Sequence, residues 1–194
     1  MARPAKFTDD EILDAALRQV TDGAGATVAG IAAAVGAPTG SIYHRFPSRD
    51  VLVARLWLRT VAQFQDGLVA VLAEQDPADA GRHAVRYFLE WTRDHPVEAQ
   101  LLLLHRRDDL LADGWPDEVR ERAAAVAEQF DDALRDYTRR RLGSLSQDAQ
   151  RRAAFAVVDV PFAAVRRHLA AGEAPPPMLD DLVVRAHDAV LEGP

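Results

Sequence analysis

Apolar residues recur along this chain at three- and four-residue intervals, the period of a helix with one buried stripe, and strand-like alternation is scarce. The pattern predicts an all-α protein. The first stripe, Ile12, Leu13, Ala16, Leu17 and Val20, opens on a capping box of Thr8 and Glu11, with Phe7 and Ile12 at the positions of a hydrophobic staple. Asp22-Gly23-Ala24-Gly25 ends it in a turn. Thr27 then stands as N-cap of a short helix from Val28 to Val35, which Gly36 closes as a residue able to take positive φ. Pro38 suits the first turn of a second short helix that runs to Phe46, ahead of Pro47. Ser48 caps a long helix predicted over 48–75, whose stripe is Val51, Leu52, Trp57, Val61, Phe64, Leu68, Val71 and Leu72.

Beyond Pro77 the pattern predicts helices near 78–94, 96–106, 116–142, 146–171 and 177–192. They are parted by Asp94-His95-Pro96, Gly114-Trp115-Pro116, Gly143-Ser144 and Pro175-Pro176-Pro177. Pro161 falls inside the fourth of them and predicts a kink or local break. Two units are expected: 1–50, built on the two short helices, and 51–194, a helical bundle joined to it by the long helix.

With 194 residues a sizeable core is available without staples. Cysteine is absent, which excludes disulfides, thiolate metal sites and Cys nucleophiles and fits a reducing compartment. No apolar run approaches the roughly 20 residues of a membrane span, and Arg3 and Lys6 are followed by acidic Thr8-Asp9-Asp10-Glu11 rather than by the apolar core of an export signal. A cytoplasmic protein away from the membrane is expected. Net charge is −7, which does not advertise a nucleic-acid binder. Its distribution helps a little, since residues 1–60 hold seven basic against six acidic side chains. Enzyme signatures are missing: no H-E-x-x-H or E-x-x-H pair, no G-x-S-x-G elbow, and Val28 spoils any dinucleotide reading of Gly23, Gly25 and Gly30. No metal, no cofactor and no catalysis are expected.

Two short helices joined through Gly36 have the form of a helix-turn-helix. Ala32 is small where the helices must approach, and Ile31, Val35 and Ile42 face inward against the first helix. The outward side holds Thr39, Gly40, Ser41, Tyr43, His44 and Arg45, groups suited to base edges and phosphates. The stretch from Thr27 to Gly36, followed by Gly40-Ser41-Ile42-Tyr43-His44-Arg45-Phe46-Pro47-Ser48-Arg49, resembles the TetR family of one-component bacterial transcriptional regulators. The resemblance is close over 8–55 and limited to helix count and length over 60–194. It implies that Thr27 and Tyr43 hold phosphates, that Thr39 and Ser41 meet bases, and that Arg49 binds phosphate at the start of the long helix. It also implies a homodimer acting as a repressor on a near-palindromic site in double-stranded DNA and released by a small apolar ligand. Two departures from the family pattern stand out: Arg45 stands where His is commoner, and Pro38-Thr39 replace a polar and basic pair, so base preference does not transfer.

For the second unit the resemblance implies a cavity among its helices, and Trp57, Phe88, Trp91, Leu103 and Phe130 are the candidates to line it. Tyr87, Trp115, Tyr137, Phe155 and Phe162 add to the apolar supply; ordinary core is the competing reading of each. The cluster from His105 to Asp109 reads as a solvated helix end. Ala153, Ala156, Val157, Val160, Ala164, Leu179, Leu182, Val183, Ala186 and Val190 suit either a dimer face on the last helices or intrachain core. An all-α adaptor that binds protein only would leave the surface from Thr39 to Arg49 without a purpose. An unrecognised helical-bundle enzyme is the other alternative.

Overall fold

The structure, a computed structural model, describes residues 7–21, 27–104 and 115–192, and among them every regular element is helical. The turn at Asp22 to Gly25, the cluster from His105 to Asp109, and Arg3 and Lys6 lie outside the described residues. α1 (Asp9–Thr21), α2 (Val28–Val35) and α3 (Thr39–Arg45) precede the long α4 (Arg49–Leu72). Then come α5 (Pro77–Asp94), α6 (Pro96–Leu104), α7 (Asp117–Leu142), α8 (Gln147–Ala154), a π turn (Phe155–Asp159), α9 (Val160–Ala170) and α10 (Met178–Glu192).

Local chemistry sets these boundaries. At α1 the capping box is reciprocal: Thr8 N–H donates to Glu11 Oε2 at 2.6 Å and Glu11 N–H to Thr8 Oγ1 at 3.2 Å. Thr27 Oγ1 accepts from Gly30 N–H at 3.1 Å and starts α2. Gly36 ends it at φ 68°, where its own N–H and that of Ala37 return to the carbonyls of Ala33 and Ala32. Ser48 accepts from Val51 N–H at 3.2 Å and starts α4, which ends at Leu72, a little short of the predicted limit. The break expected at Pro161 takes a specific form. The backbone passes into the π turn just before it, and Val160 N–H reaches back to the Phe155 carbonyl, a wider register that absorbs the proline ring and its missing donor.

Ile12, Ala16, Ile31, Ala32, Ile42 and Phe46 form the core beneath α1, α2 and α3, and Leu52 and Leu56 of α4 with Leu101 of α6 complete it. Farther along α4, Leu68 and Leu72 pack with Ala84, Tyr137 and Val157 in a second core. One uninterrupted helix of about 36 Å therefore belongs to both. Each fully buried Leu or Ile stabilises by about 1.5–3 kcal/mol, so both ends of α4 are firmly held. Trp115, buried against Ala54, Leu58 and Val119, closes the side of α4 that faces α7.

Ala153, Ala156, Val157 and Val183 are fully or almost fully buried within the chain, which resolves those four as core. The large apolar side chains exposed in that region are Phe155, Phe162, Met178 and Leu182.

Candidate nucleic-acid interface

α3 is seven residues long, and its periodicity sorts its side chains into three sets. Ile42 and the following Phe46 are buried and pin the helix to α1 and α2. Thr39, Gly40, Tyr43 and His44 are exposed, Tyr43 at 50%. Thr39 with Tyr43 and Gly40 with His44 form two adjacent rows at i, i+4, an uncovered surface one helix wide.

Ser41 and Arg45 form a third row on the flank, and both are partly buried rather than fully outward as the sequence suggested. The Ser41 hydroxyl donates to the Pro38 carbonyl at 2.6 Å. Arg45 Nη1 pairs with Asp9 Oδ1 at 2.7 Å, and its guanidinium lies 5.2 Å from the Phe7 ring centroid. Arg45 thus ties α3 to the start of α1. The sequence offered no signal for this pair, because its members are 36 residues apart and each also suits a solvated surface.

Thr27, before α2, and Arg49, at the start of α4, are exposed as well. Thr27 caps α2 through an oxygen lone pair, which leaves its hydroxyl proton available to an outside acceptor. Arg49 is exposed in the first turn of α4, with Asp50 Oδ1 at 3.8 Å. The exposed rows of α3 thus present a hydroxyl, a phenol and an imidazole above a buried base of Ile42 and Phe46.

The five residues named for a ligand cavity are not brought together. Trp57 packs beside Ala54, Leu58 and Trp115; Phe88, Trp91 and Leu103 share a core with Val85 and Val165; Phe130 lies against the core of Leu68 and Tyr137. Three helices of this half also meet at a buried polar chain that sequence reading passed over. His187 is fully buried, with Nδ1 3.0 Å from Asp188 Oδ1 and Nε2 3.2 Å from the Tyr137 hydroxyl. Asp188 is held in turn by Arg82 Nε at 3.0 and 3.1 Å. Burial pushes the His187 pKa down, and it pushes Tyr137 up to about 12. Among the described residues, no three His, Asp or Glu side chains stand close enough to hold a metal ion, and no helix is long and apolar enough to cross a membrane.

Residues 12–56 match the model of bacterial regulatory proteins of the tetR family. No curated protein matches the chain. Among solved structures, a TetR-like transcriptional regulator from a Rhodococcus species superposes with a TM-score of 0.69 at 20% identity, covering 100% of both chains. The TetR family transcriptional regulator PfmR from Thermus thermophilus gives 0.67 at 18%, covering 94% of this chain and 97% of its own. FadR from Bacillus subtilis, solved in complex with stearoyl-CoA, gives 0.62 at 15%, covering 95% and 96%. The matched segment spans α2, α3, most of α1 and the start of α4, and it contains Thr27, Thr39, Gly40, Ser41, Tyr43, His44, Arg45 and Arg49. Over its whole length the chain shares the fold of these solved structures.

Proposed function

From a chain that carries the DNA-binding module and the whole-length fold of TetR-family regulators, we propose a homodimeric repressor that places α3 of each subunit in successive major grooves of a near-palindromic operator. The observation that carries this reading is the exposed double row of Thr39, Gly40, Tyr43 and His44 on a buried base of Ile42 and Phe46, with Thr27 and Arg49 also exposed at the starts of α2 and α4. Thr27, Tyr43 and Arg49 hold phosphates, which fix register, while Thr39 and Ser41 meet base edges, which carry sequence. Arg45 serves mainly by keeping α3 seated on α1 through Asp9. Local cations outweigh the net charge of −7 in such a contact, because affinity follows the phosphates neutralised at the interface.

Dimer formation is supported by the exposed apolar set Phe155, Phe162, Met178 and Leu182 on the π turn, α9 and α10. Release follows from α4. It starts beside α3 and is packed into both cores, so a small, largely apolar effector that shifts its far end would change the spacing of the two reading helices. The stearoyl-CoA bound by a regulator of the same fold supports an effector with an apolar body. Selection of duplexes from a random pool tests the reading. An enriched inverted repeat whose binding weakens steeply with salt is expected, and a pool with no enriched repeat overturns it.

A further inference from the structure

Arg55 of α4 stands where the unit of α1, α2 and α3 meets the rest of the chain. Its guanidinium carbon lies 5.5 Å from the centroid of the Phe46 ring, and its Nη2 lies 3.4 Å from Glu118 Oε1 in the first turn of α7. Phe46 caps the end of α3. Its N–H donates to the Ile42 carbonyl at 2.8 Å, and its ring is buried in the same core as Ile42, so whatever holds that ring holds the end of the helix. The same three kinds of group meet at the preceding residue, where Arg45 engages Phe7 and Asp9. That arrangement closes the unit on itself, since Asp9 belongs to α1, whereas Glu118 is 63 residues from Arg55 and belongs to α7. One turn along α4, Arg59 also turns back to α1, with Nη2 2.7 Å from Asp14 Oδ1. The α7 end of the contact is anchored. Trp115 and Val119 pack on Ala54 and Leu58, close to Arg55 on α4, and Arg120 Nη1 donates to the Trp115 carbonyl at 2.7 Å. Beside the pair runs an open cleft of about 350 Å³, bordered by Arg55 and Leu58 from α4 and by Glu118 and Val119 from α7.

We propose that Arg55 is a positioning residue for α3, through which the first turn of α7 sets how that helix is seated. A guanidinium suits the task, because one planar cation can lie against an aromatic ring and meet a carboxylate at the same time. A shift of the first turn of α7 draws on Glu118, then on Arg55, and is felt at the Phe46 ring. The inference rests on the reading above, that α3 enters the groove, and it gives the regulatory half a second route to that helix beside the length of α4. Sign separates this role from a plain charge effect. Removing a carboxylate from a protein of net charge −7 favours association with a polyanion. Removing the link to α7 opposes it, because α3 is then seated less firmly.

Operator affinity of the full chain carrying Glu118→Ala or Arg55→Met tests the proposal, together with amide hydrogen exchange measured without DNA. The Glu118 side chain is 80% exposed, so its removal leaves no void, and Met keeps an apolar stem over Phe46. Glu118→Ala weakens operator binding by about threefold, the scale of one partly exposed ion pair, and keeps the slope of log affinity against log salt, because Glu118 meets no phosphate. Arg55→Met weakens binding as well, and adding Glu118→Ala to it costs nothing further. Without DNA, the Phe46 amide exchanges about threefold faster in each single variant, while amides of α10 keep the parent rate. Operator binding that is unchanged or tighter in Glu118→Ala, a changed salt slope in that variant, additive effects of the two replacements, or a Phe46 exchange rate that stays at the parent value or rises only in step with α10 overturns it. Glu118→Ala keeps the test open if Arg55→Met fails to fold. A parent chain that binds no operator counts against the regulator reading alone, since hydrogen exchange still decides the link from α7 to α3.

Discussion

Arg45 and Arg49 are one helical turn apart in sequence, and their surroundings give them different work. Arg45 lies against Phe7 and Asp9, whereas Arg49 stands exposed at the start of α4. Replacing Arg49 by Ala should therefore weaken binding to all duplexes alike and reduce the slope of log affinity against log salt by about one, read from filter binding or anisotropy at several salt concentrations. Thr39→Ala should instead change which bases are preferred, by about 1–3 kcal/mol at the affected position. Ser41→Ala should do less, because the Ser41 hydroxyl already donates to the Pro38 carbonyl. A base preference altered by Arg49→Ala and untouched by Thr39→Ala would invert these roles. In the other half, Gly81 is buried against Tyr137 and His187, and a Cβ there would overlap the Tyr137 hydroxyl and the His187 ring. Gly81→Ala should cost about 1–3 kcal/mol of stability, measured by urea unfolding, as an overpacked site does. A loss within experimental error would mean that α5 can move away from α7 and α10 at little cost.

Among the elements, α2 and α4 were the most legible, because each begins on a side-chain cap that the sequence displays, Thr27 and Ser48. The stop of α2 is equally local. Gly36 has φ 68° and no atom within 4 Å of where a Cβ would stand, so the cost of Gly36→Ala is conformational alone. It should be about 1–2 kcal/mol in thermal or urea unfolding, the cost of a left-handed alanine. Because the same turn sets the angle between α2 and α3, operator affinity should fall with it. An alanine variant as stable as the parent would show that the turn can adopt another geometry. The π turn was only half legible. Pro161 announced an irregularity, but whether the chain would kink, break or widen depended on Ala156 and Val157 being held in the core.

For the whole molecule, the junction of α5, α7 and α10 makes stability depend on pH. Asp188 is ionised: burial opposes it, but bonds from His187 and Arg82 hold its pKa below the ordinary value, so it can only accept, and His187 Nδ1 carries the proton. His187 Nε2 then accepts from Tyr137, a role that a protonated ring loses. With the folded pKa of His187 below 6.5, the unfolded chain binds more protons between the two values. This contribution is fully present above about pH 6.5 and is lost as pH falls through the folded value. At the alkaline end, Tyr137 is pushed up to about 12 against 10.0 unfolded, so its contribution is lost as pH rises across that interval. Urea midpoints should therefore fall between neutral pH and about pH 5, and His187→Gln should flatten that dependence. An unchanged slope in the variant would assign the acid sensitivity to other groups.

Helical period, caps, the Gly36 stop and the inward positions Ile31 and Ile42 were determined by the sequence alone, since all of them depend on residues within a turn or two of one another. The motif followed from the same short-range order, as did an outward set of Thr39, Gly40, Ser41, Tyr43, His44 and Arg45, from which the structure withdrew Ser41 and Arg45 to the flank. Tertiary structure decided whatever depends on partners distant in the chain. It turned Arg45 toward Asp9, divided Trp57, Phe88 and Phe130 among separate cores, assigned Ala153, Ala156, Val157 and Val183 to the interior, and brought Glu118 to Arg55. An apolar stripe states that a face will be covered but not by which neighbour, and a charge pattern does not say which opposite charge will meet it. Both answers come from how the helices cross, which is fixed only when all of them pack together.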